Sequence, residues 1–284
     1  MPASERDSAA QEDEDQSEGA SIEEKKADAK EHQRLSAVTV FETIRLEGDE
    51  ELNRPVISLW WSGIAAGLAL STSLLAEAIL YRVLAGNPAR EVIAALGYAL
   101  GFVIVILSRL QLFTENTLSV VLPVLDKPSG DNLWRSARLW AVVFVANLVG
   151  TFVTAFISLK LGTTTPENTA AMLEVSRRVL EQTGWTGLVH AIPAGFFIAS
   201  IVWMLPSSKG FEIFTITAFA WLIAAGGFSH VVVGSAEVFL LTIHGELGLW
   251  TGLTTILLPA LVGNVIGGTG LFAFLAWGQT EAEN

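Results

Sequence analysis

The 284-residue chain contains no cysteine, and only 16% of its residues are charged. The absence of cysteine excludes disulfide frameworks and thiolate-ligated metal sites. Soluble domains carry about 25% charged residues, so most of this chain avoids water. The sequence also lacks an N-terminal secretory signal, a phosphate-binding glycine loop, zinc-ligand spacing and a nucleophile elbow. We therefore predict that the protein is not an enzyme and needs no metal, cofactor or nucleic-acid partner.

The net charge of −12 lies mostly at the N-terminus, where residues 1–55 carry 16 acidic and 7 basic side chains. Residues 1–34 are acidic and poor in apolar side chains, which predicts a disordered, solvated tail. In residues 35–54, Phe41 and Ile44 lie at helical spacing and predict an amphipathic surface helix. Because its polar face is acidic, we expect this helix to pack on the protein rather than on lipid headgroups.

Long apolar segments dominate the rest of the chain. A bilayer core about 30 Å thick needs roughly 20 apolar residues per helix. These features predict an all-α membrane protein with a six-helix transmembrane domain at 55–278, followed by a short tail at 279–284. The six candidate segments are 57–84, 92–125, 134–159, 185–206, 211–244 and 250–277.

An even number of spans places both termini on the same side of the membrane. Basic residues in the flanking loops are nearly balanced between the two sides, so the positive-inside rule decides little. We favour cytoplasmic termini in a bacterial inner membrane, because a long acidic tail without a signal sequence is difficult to export.

The second and fifth segments are each 34 residues long, well over one span, and each is interrupted. The interruptions are "RLQLFTENT" (109–117) and "GGFSHVVVG" (226–234). A broken helix at membrane depth leaves backbone N–H and C=O groups unpaired unless protein or a water-filled cavity covers them. Matched interruptions in two halves of a chain are typical of an inverted repeat with a site at the membrane midplane.

The two halves can also be aligned around the interruptions. "LFTEN" aligned with "GFSHV", followed by "VANLVGT" with "VGNVIGG", preserves nearly equal spacing in both halves. We therefore predict an inverted 3+3 repeat in which helices 2 and 5 are broken. The alignment pairs Phe113 with Phe228, Glu115 with His230, and Asn147 with Asn264.

In this order across six segments, "LFTEN", "NLVG", "GFSH" and "GNVIGG" resemble the formate/nitrite transporter family, and "HVVVGSAE" resembles its YfdC-type branch. The resemblance covers roughly residues 55–278 and implies an aquaporin-like protomer, in a homopentamer, with one pore per protomer. It also implies transport of small monovalent anions such as formate, nitrite and hydrosulfide. The pore histidine, loop threonine and paired asparagines that it implies are His230, Thr114, Asn147 and Asn264. The apolar constrictions that it implies are Phe102, Leu112 and Phe113 on one side, and Ile223 and Phe228 on the other.

The chain departs from the family pattern close to His230. Formate channels often carry a glutamate before the histidine, where this chain has Ser229. The first interruption continues with Glu115, where small hydroxyl residues are usual. A basic residue ahead of the fourth span has only Arg177 or Arg178 as candidates. These differences bear on anion selectivity rather than on the fold.

Several ionisable side chains lie at membrane depth, where each is a candidate functional group. We expect His230 to polarise or protonate an anion, because a neutral acid enters hydrocarbon more easily than an ion. Glu115 is expected either to line the pore or to pair with Arg109, which needs a structural ion pair. Glu237 shares a helix face with His230 and is expected to line the vestibule or to hold Arg109. Glu77 is expected to reach the membrane interface.

Three functions are compatible with these features. The first is a channel for small monovalent anions or their conjugate acids, passive or proton-coupled because no ATP-binding motif is present. The second is a sodium, potassium or ammonium channel on the same fold, in which carboxylates attract cations. The third is a non-conducting scaffold or sensor that interacts through its acidic tail. The expected partners are further copies of the chain, the lipid bilayer and small ions.

Overall fold

The computed structural model describes residues 34–283, and these residues are helical with no strand among them. The acidic tail predicted at 1–34 lies, apart from Arg34, outside the described residues. The helices are α1 Ala37–Asn53, α2 Val56–Val83, α3 Arg90–Leu107, α4 Asn116–Asp126, α5 Gly130–Lys160, α6 Pro166–Ser176, α7 Gly184–Met204, α8 Glu212–Ala225, α9 Val231–His244 and α10 Leu249–Glu281. Single 3₁₀ turns follow α6 (Arg177–Glu181) and α7 (Leu205–Ser207).

Five helices in the described part of the chain are long and apolar enough to cross a bilayer, namely α2, α3, α5, α7 and α10. Helices α4, α8 and α9 are apolar but have only 10–17 residues, which is short for a full span. Together, α3 with α4 and α8 with α9 occupy the two segments that were predicted to be interrupted. The all-helical fold is confirmed, whereas the count of six spans and the 3+3 repeat remain predictions.

Helix α1 buries an apolar face formed by Phe41, Ile44 and Leu52 and packs against α4. On its polar face, Arg45 forms ion pairs within the helix, with Glu42 and, at 2.7 Å, with Asp49. The hydrogen bond from Arg45 holds the pKa of Glu42 below its usual value. The described helix therefore rests on protein along its apolar side.

The helices pack in two similar groups. Helix α2 contacts α3 and α5, and α7 contacts α8 and α10. Between the groups, α9 packs on α5 and α4 packs on α10. Glycines allow the closest crossings: a Cβ added to Gly150 on α5 would lie 2.8 Å from the Cα of Gly67 on α2. Small residues thus bring helix backbones together around the two short non-helical segments.

Helices α3 and α8 end in the same hydrogen-bonded turn. Beyond α3, the N–H of Leu110 donates to the carbonyl of Val105 at 3.0 Å, and beyond α8 the N–H of Phe228 donates to Ile223 at 2.9 Å. Such turns place one residue in the left-handed conformation, which usually favours glycine. Gly227 has a φ of 66° in the second turn.

Arg109 occupies the left-handed position of the first turn, with a φ of 52°, and is the only non-glycine residue with positive φ in the described chain. The left-handed conformation costs a residue with a Cβ about 1–2 kcal/mol. The backbone after α3 is therefore strained at Arg109, whereas the equivalent backbone after α8 is not strained, because Gly227 occupies that position.

Replacing Gly227 with alanine is expected to lower the free energy of unfolding by about 1–2 kcal/mol. A Cβ added there meets no atom within 4 Å, so the backbone conformation alone carries the cost. Gly130→Ala is the matched control, because an added Cβ there also meets no atom within 4 Å and Gly130 is not left-handed. Thermal unfolding in detergent measures both variants, and an unchanged midpoint for Gly227→Ala would contradict the prediction.

Candidate functional site

Asn147 on α5 holds the non-helical segment that follows α3. Its Oδ1 accepts a hydrogen bond from the N–H of Phe113 at 2.9 Å. Its Nδ2 donates to the carbonyls of Gly63 and Gln111, each at 2.8 Å. The side chain is fully buried, and this one amide links α5, α2 and the segment directly.

Asn264 on α10 makes the corresponding bonds to the segment before α9. Its Oδ1 accepts from the N–H of Val231 at 2.9 Å. Its Nδ2 donates to the carbonyl of Ala191 at 2.8 Å and to that of Ser229 at 2.9 Å. The two asparagines that the alignment pairs therefore make the same set of bonds, and satisfy backbone groups that a helix would otherwise have paired.

These bonds correct the register in which the two segments correspond. They equate Gln111 with Ser229 and Phe113 with Val231. The alignment that pairs Phe113 with Phe228 is therefore wrong by three residues. The alignment was guided by the phenylalanine that both segments contain. The turn that sets the register cannot be recognised from the sequence.

The same correction applies to the partner of His230. The two left-handed turn positions, Arg109 and Gly227, occupy equivalent places in the corrected register. Leu112 is then the counterpart of His230, and Glu115 is not. The turn was missed in the sequence because an arginine stands where its glycine is usual.

His230 and Thr114 meet at the centre of the site. The Nε2 of His230 lies 2.7 Å from the Oγ1 of Thr114, and both side chains are buried. The ring caps α9, since its Nδ1 accepts from the N–H of Val233 at 3.4 Å. The edge of the ring also meets Phe102, with 5.0 Å between the ring centroids.

The partners of His230 favour one tautomer of the neutral ring. Because Nδ1 accepts a backbone N–H, the proton of the neutral ring is on Nε2, which donates to the oxygen of Thr114. The threonine hydroxyl is then left to donate its own hydrogen to a further group. A second proton on Nδ1 would point at the N–H of Val233. The geometry therefore favours a neutral ring that donates hydrogen bonds over a ring that acts as an acid.

The five residues predicted as constrictions lie in one apolar cluster. Phe113 packs its ring on Trp140 and Phe144 of α5, at centroid distances of 5.7 and 5.0 Å. Phe228 packs on Phe197 of α7 at 5.8 Å. The structure thus brings them together, and their role in closing a pore remains a prediction. The five are Phe102, Leu112, Phe113, Ile223 and Phe228.

A cavity of about 100 Å³ opens on one side of His230, which is room for several waters. Its walls include Ser229 and Glu237, as well as Tyr98 and Gln182, which sequence reasoning did not single out. The Oγ of Ser229 lies 3.3 Å from the Oε1 of Gln182. Polar groups therefore line the approach to the His230–Thr114 pair from this side.

Glu77 and Arg178 complete the charged wall of the cavity. Glu77 is only 5% exposed, and its Oε1 accepts from the Nη1 of Arg178 at 2.9 Å. Glu77 is therefore held in an ion pair with Arg178 rather than exposed to solvent, and its position at the membrane interface remains a prediction. The two residues are 101 positions apart, so no local pattern indicated the pair.

Arg109 and Glu115 lie elsewhere. Arg109 pairs with Glu47 of α1 at 2.9 Å, and its side chain is 77% exposed. The charged neighbours of Glu115 are Glu51, Glu47 and Arg109, and its Oε1 is buried without a hydrogen-bond partner. The predicted ion pair of Arg109 is thus present, but its partner is neither Glu115 nor Glu237.

Comparison with known proteins identifies the family. The family model for the formate/nitrite transporter matches residues 38–278, which is most of the chain. The chain belongs to the formate/nitrite transporter family. Because members of this family are transporters, the prediction that the protein is not an enzyme is confirmed.

Among relatives in the formate/nitrite transporter family, the chain is 40% identical to the inner membrane protein YfdC of Escherichia coli over 243 residues. That match covers 86% of this chain and 78% of YfdC. It is 24% identical to the formate channel FocA of Haemophilus influenzae, covering 84% and 94% of the two chains. A solved pentameric formate channel with formate bound is similar in fold, with a TM-score of 0.69, 19% identity, and coverage of 81% of this chain and 98% of that one.

Proposed function

We propose that the protein is an inner-membrane channel for small monovalent anions or their conjugate acids. The observation that carries this proposal is the His230–Thr114 pair, buried between a polar cavity and an apolar cluster. The pair leaves a hydroxyl hydrogen free to bind an anion where the cavity meets the apolar cluster. The names of the relatives support the proposal, since one is a formate channel and another an inner membrane protein.

The proposed architecture is an inverted 3+3 repeat with six spans and cytoplasmic termini. Helices α3 with α4, and α8 with α9, would each form one broken span. The recurrent bonds of Asn147 and Asn264 and the similar packing of the two helix groups support this arrangement. A homopentamer with one pore per protomer follows by analogy with the similar pentameric channel.

In this proposal, the channel selects anions because a few fixed hydrogen-bond donors replace the water molecules that the ion loses. An ion in an apolar passage loses water at a high cost unless hydrogen bonds replace it. The hydroxyl of Thr114, polarised by the Nε2–H of His230, offers such a donor to an anion. Phe102 and Ile223, both fully buried, belong to the apolar cluster that would exclude hydrated ions. Transport would be passive or coupled to protons.

A monovalent cation channel is the second candidate, and the carboxylates favour it. Glu77 and Glu237 both lie in the cavity wall with a single arginine, Arg178. Glu115 lies outside this cavity, and its Oε1 is buried without a hydrogen-bond partner. Ionised carboxylates without partners attract cations and repel anions. This candidate keeps the same fold and the same pore.

Purified protein in planar bilayers under a potassium formate gradient tests the proposal. Anion selectivity and cation selectivity give reversal potentials of opposite sign, which separates the two candidates. Stopped-flow uptake of formate and nitrite into proteoliposomes, against protein-free liposomes, detects electroneutral passage of the acids. Uptake of neither anion would contradict the main proposal, and absence of all flux would favour the scaffold or sensor.

A further inference from the structure

We infer that Glu237 is the residue that exchanges protons with an entering anion, so that the anion passes the apolar cluster as its neutral acid. This inference rests on the proposed function as an anion channel. It assigns the proton donor to a carboxyl group in the cavity rather than to His230.

Glu237 faces the same cavity as His230. The cavity is lined by His230, Gly234 and Glu237, which lie one and two turns apart on one face of α9. The Oε2 of Glu237 is 4.0 Å from the position that a Cβ on Gly234 would occupy. The carboxyl therefore turns back along the helix towards His230, and the missing side chain at Gly234 leaves the space between them open.

The charges around Glu237 leave it without a dedicated counter-ion. The titratable groups that face it are Glu77 from α2, Tyr98 from α3 and Arg178 from the 3₁₀ turn, besides His230 at the start of its own helix. Nη1 of Arg178 donates to Glu77 at 2.9 Å, whereas its Nη2 is buried without a hydrogen-bond partner and lies 3.9 Å from Glu91. A buried carboxylate that shares another group's cation is costly, so a proton on Glu237 stabilises the cavity.

His230 is poorly placed to supply that proton. Its Nε2–H is engaged with Thr114, and its Nδ1 accepts the N–H of Val233. To act as an acid, the ring would have to carry a second proton on Nδ1, where two N–H groups would then face each other. Glu237 needs no such rearrangement, because its carboxyl borders the open cavity.

The transfer balances with formate as the anion. The O–H bond of protonated Glu237 breaks while an O–H bond forms on a formate oxygen, leaving the Glu237 carboxylate and neutral formic acid. Formic acid then passes the His230–Thr114 pair, and a hydronium ion in the cavity returns a proton to Glu237 from the same side and is left as water. One proton moves with each anion, and no other reactant is needed.

Formate uptake into proteoliposomes containing the full chain, with a trapped pH dye, tests this inference. Wild type is expected to take up about one proton per formate and to transport faster as the pH on the cavity side falls. Glu237→Gln is expected to slow uptake roughly tenfold or more and to abolish the pH dependence, since a positioned acid contributes at least this much. Glu237→Asp keeps a carboxyl group and is expected to retain the pH dependence at a reduced rate.

Glu181→Gln is the matched control, because Glu181 is exposed on the same 3₁₀ turn that carries Arg178. Gel filtration and thermal unfolding establish that each variant is folded. An unchanged pH profile in Glu237→Gln, or faster anion flux, would overturn the inference while leaving the channel intact. Absence of formate and nitrite flux in wild type would instead remove the proposed function, and the inference with it.

Discussion

Replacing Asn264 with leucine is expected to destabilise the protein more than any other single change considered. The leucine has nearly the same shape, but it leaves the N–H of Val231 and the carbonyl of Ser229 without partners and removes the bond to the carbonyl of Ala191 within α7. Each buried, unsatisfied group costs about 1–3 kcal/mol, so the total approaches the stability of a typical domain. We expect little folded protein after detergent extraction, and a sharply lowered thermal midpoint in what remains.

Asn147→Leu provides an internal comparison, because it removes the same three kinds of bond from the other segment. The two variants are expected to lose similar amounts of stability. Asn87→Leu is the control: its exposed side chain accepts one bond from the N–H of Ala89, and its loss costs about 1 kcal/mol or less. A near-normal midpoint for Asn264→Leu would show that water replaces the missing amide.

Replacing His230 with leucine is expected to reduce anion flux by about tenfold to a hundredfold. The change removes the Nε2–H that orients and polarises Thr114, so both this bond and the bond from the Thr114 hydroxyl to the permeating species are lost; at about 0.5–1.5 kcal/mol for each bond, the total is about 1–3 kcal/mol. Thr114→Val is expected to have an effect of similar size. Because the two side chains act on the anion as one unit, the double variant should be hardly slower than either single variant.

His244→Leu is the matched control for this experiment. His244 is partly exposed at the end of α9 and pairs with Glu246 at 3.0 Å, away from the cavity. Formate uptake into proteoliposomes is expected to be unchanged in this variant. Normal uptake by folded His230→Leu would refute the role of the imidazole in conduction.

Much of the fold follows from local sequence. The predicted segments 57–84 and 134–159 differ by only a few residues from α2 Val56–Val83 and α5 Gly130–Lys160. These helices end where the apolar residues end, and those positions can be read directly from the sequence. The resemblance to the family likewise named Thr114 and His230, whose side chains meet across 116 positions.

The partners of charged side chains did not follow from the sequence. Glu77 pairs with Arg178, and Arg109 pairs with Glu47, which lies 62 residues away on α1. Such pairs depend on how helix ends come together, and no spacing rule links residues so far apart. The predicted register between the two non-helical segments was wrong for a similar reason. The turn at Arg109 defines the register, and an arginine does not indicate a left-handed turn.

By itself, the sequence determined that this is a helical membrane protein of the formate/nitrite transporter family, because long apolar segments have few alternatives to spanning a bilayer and the motifs around His230 are specific. Tertiary structure alone decided which groups face one another: the neutral tautomer of His230, the cavity beside it, and the carboxyl of Glu237 without its own cation. The physical reason is that hydropathy is a property of each segment, whereas hydrogen bonds and charge balance in a buried site depend on distances between segments.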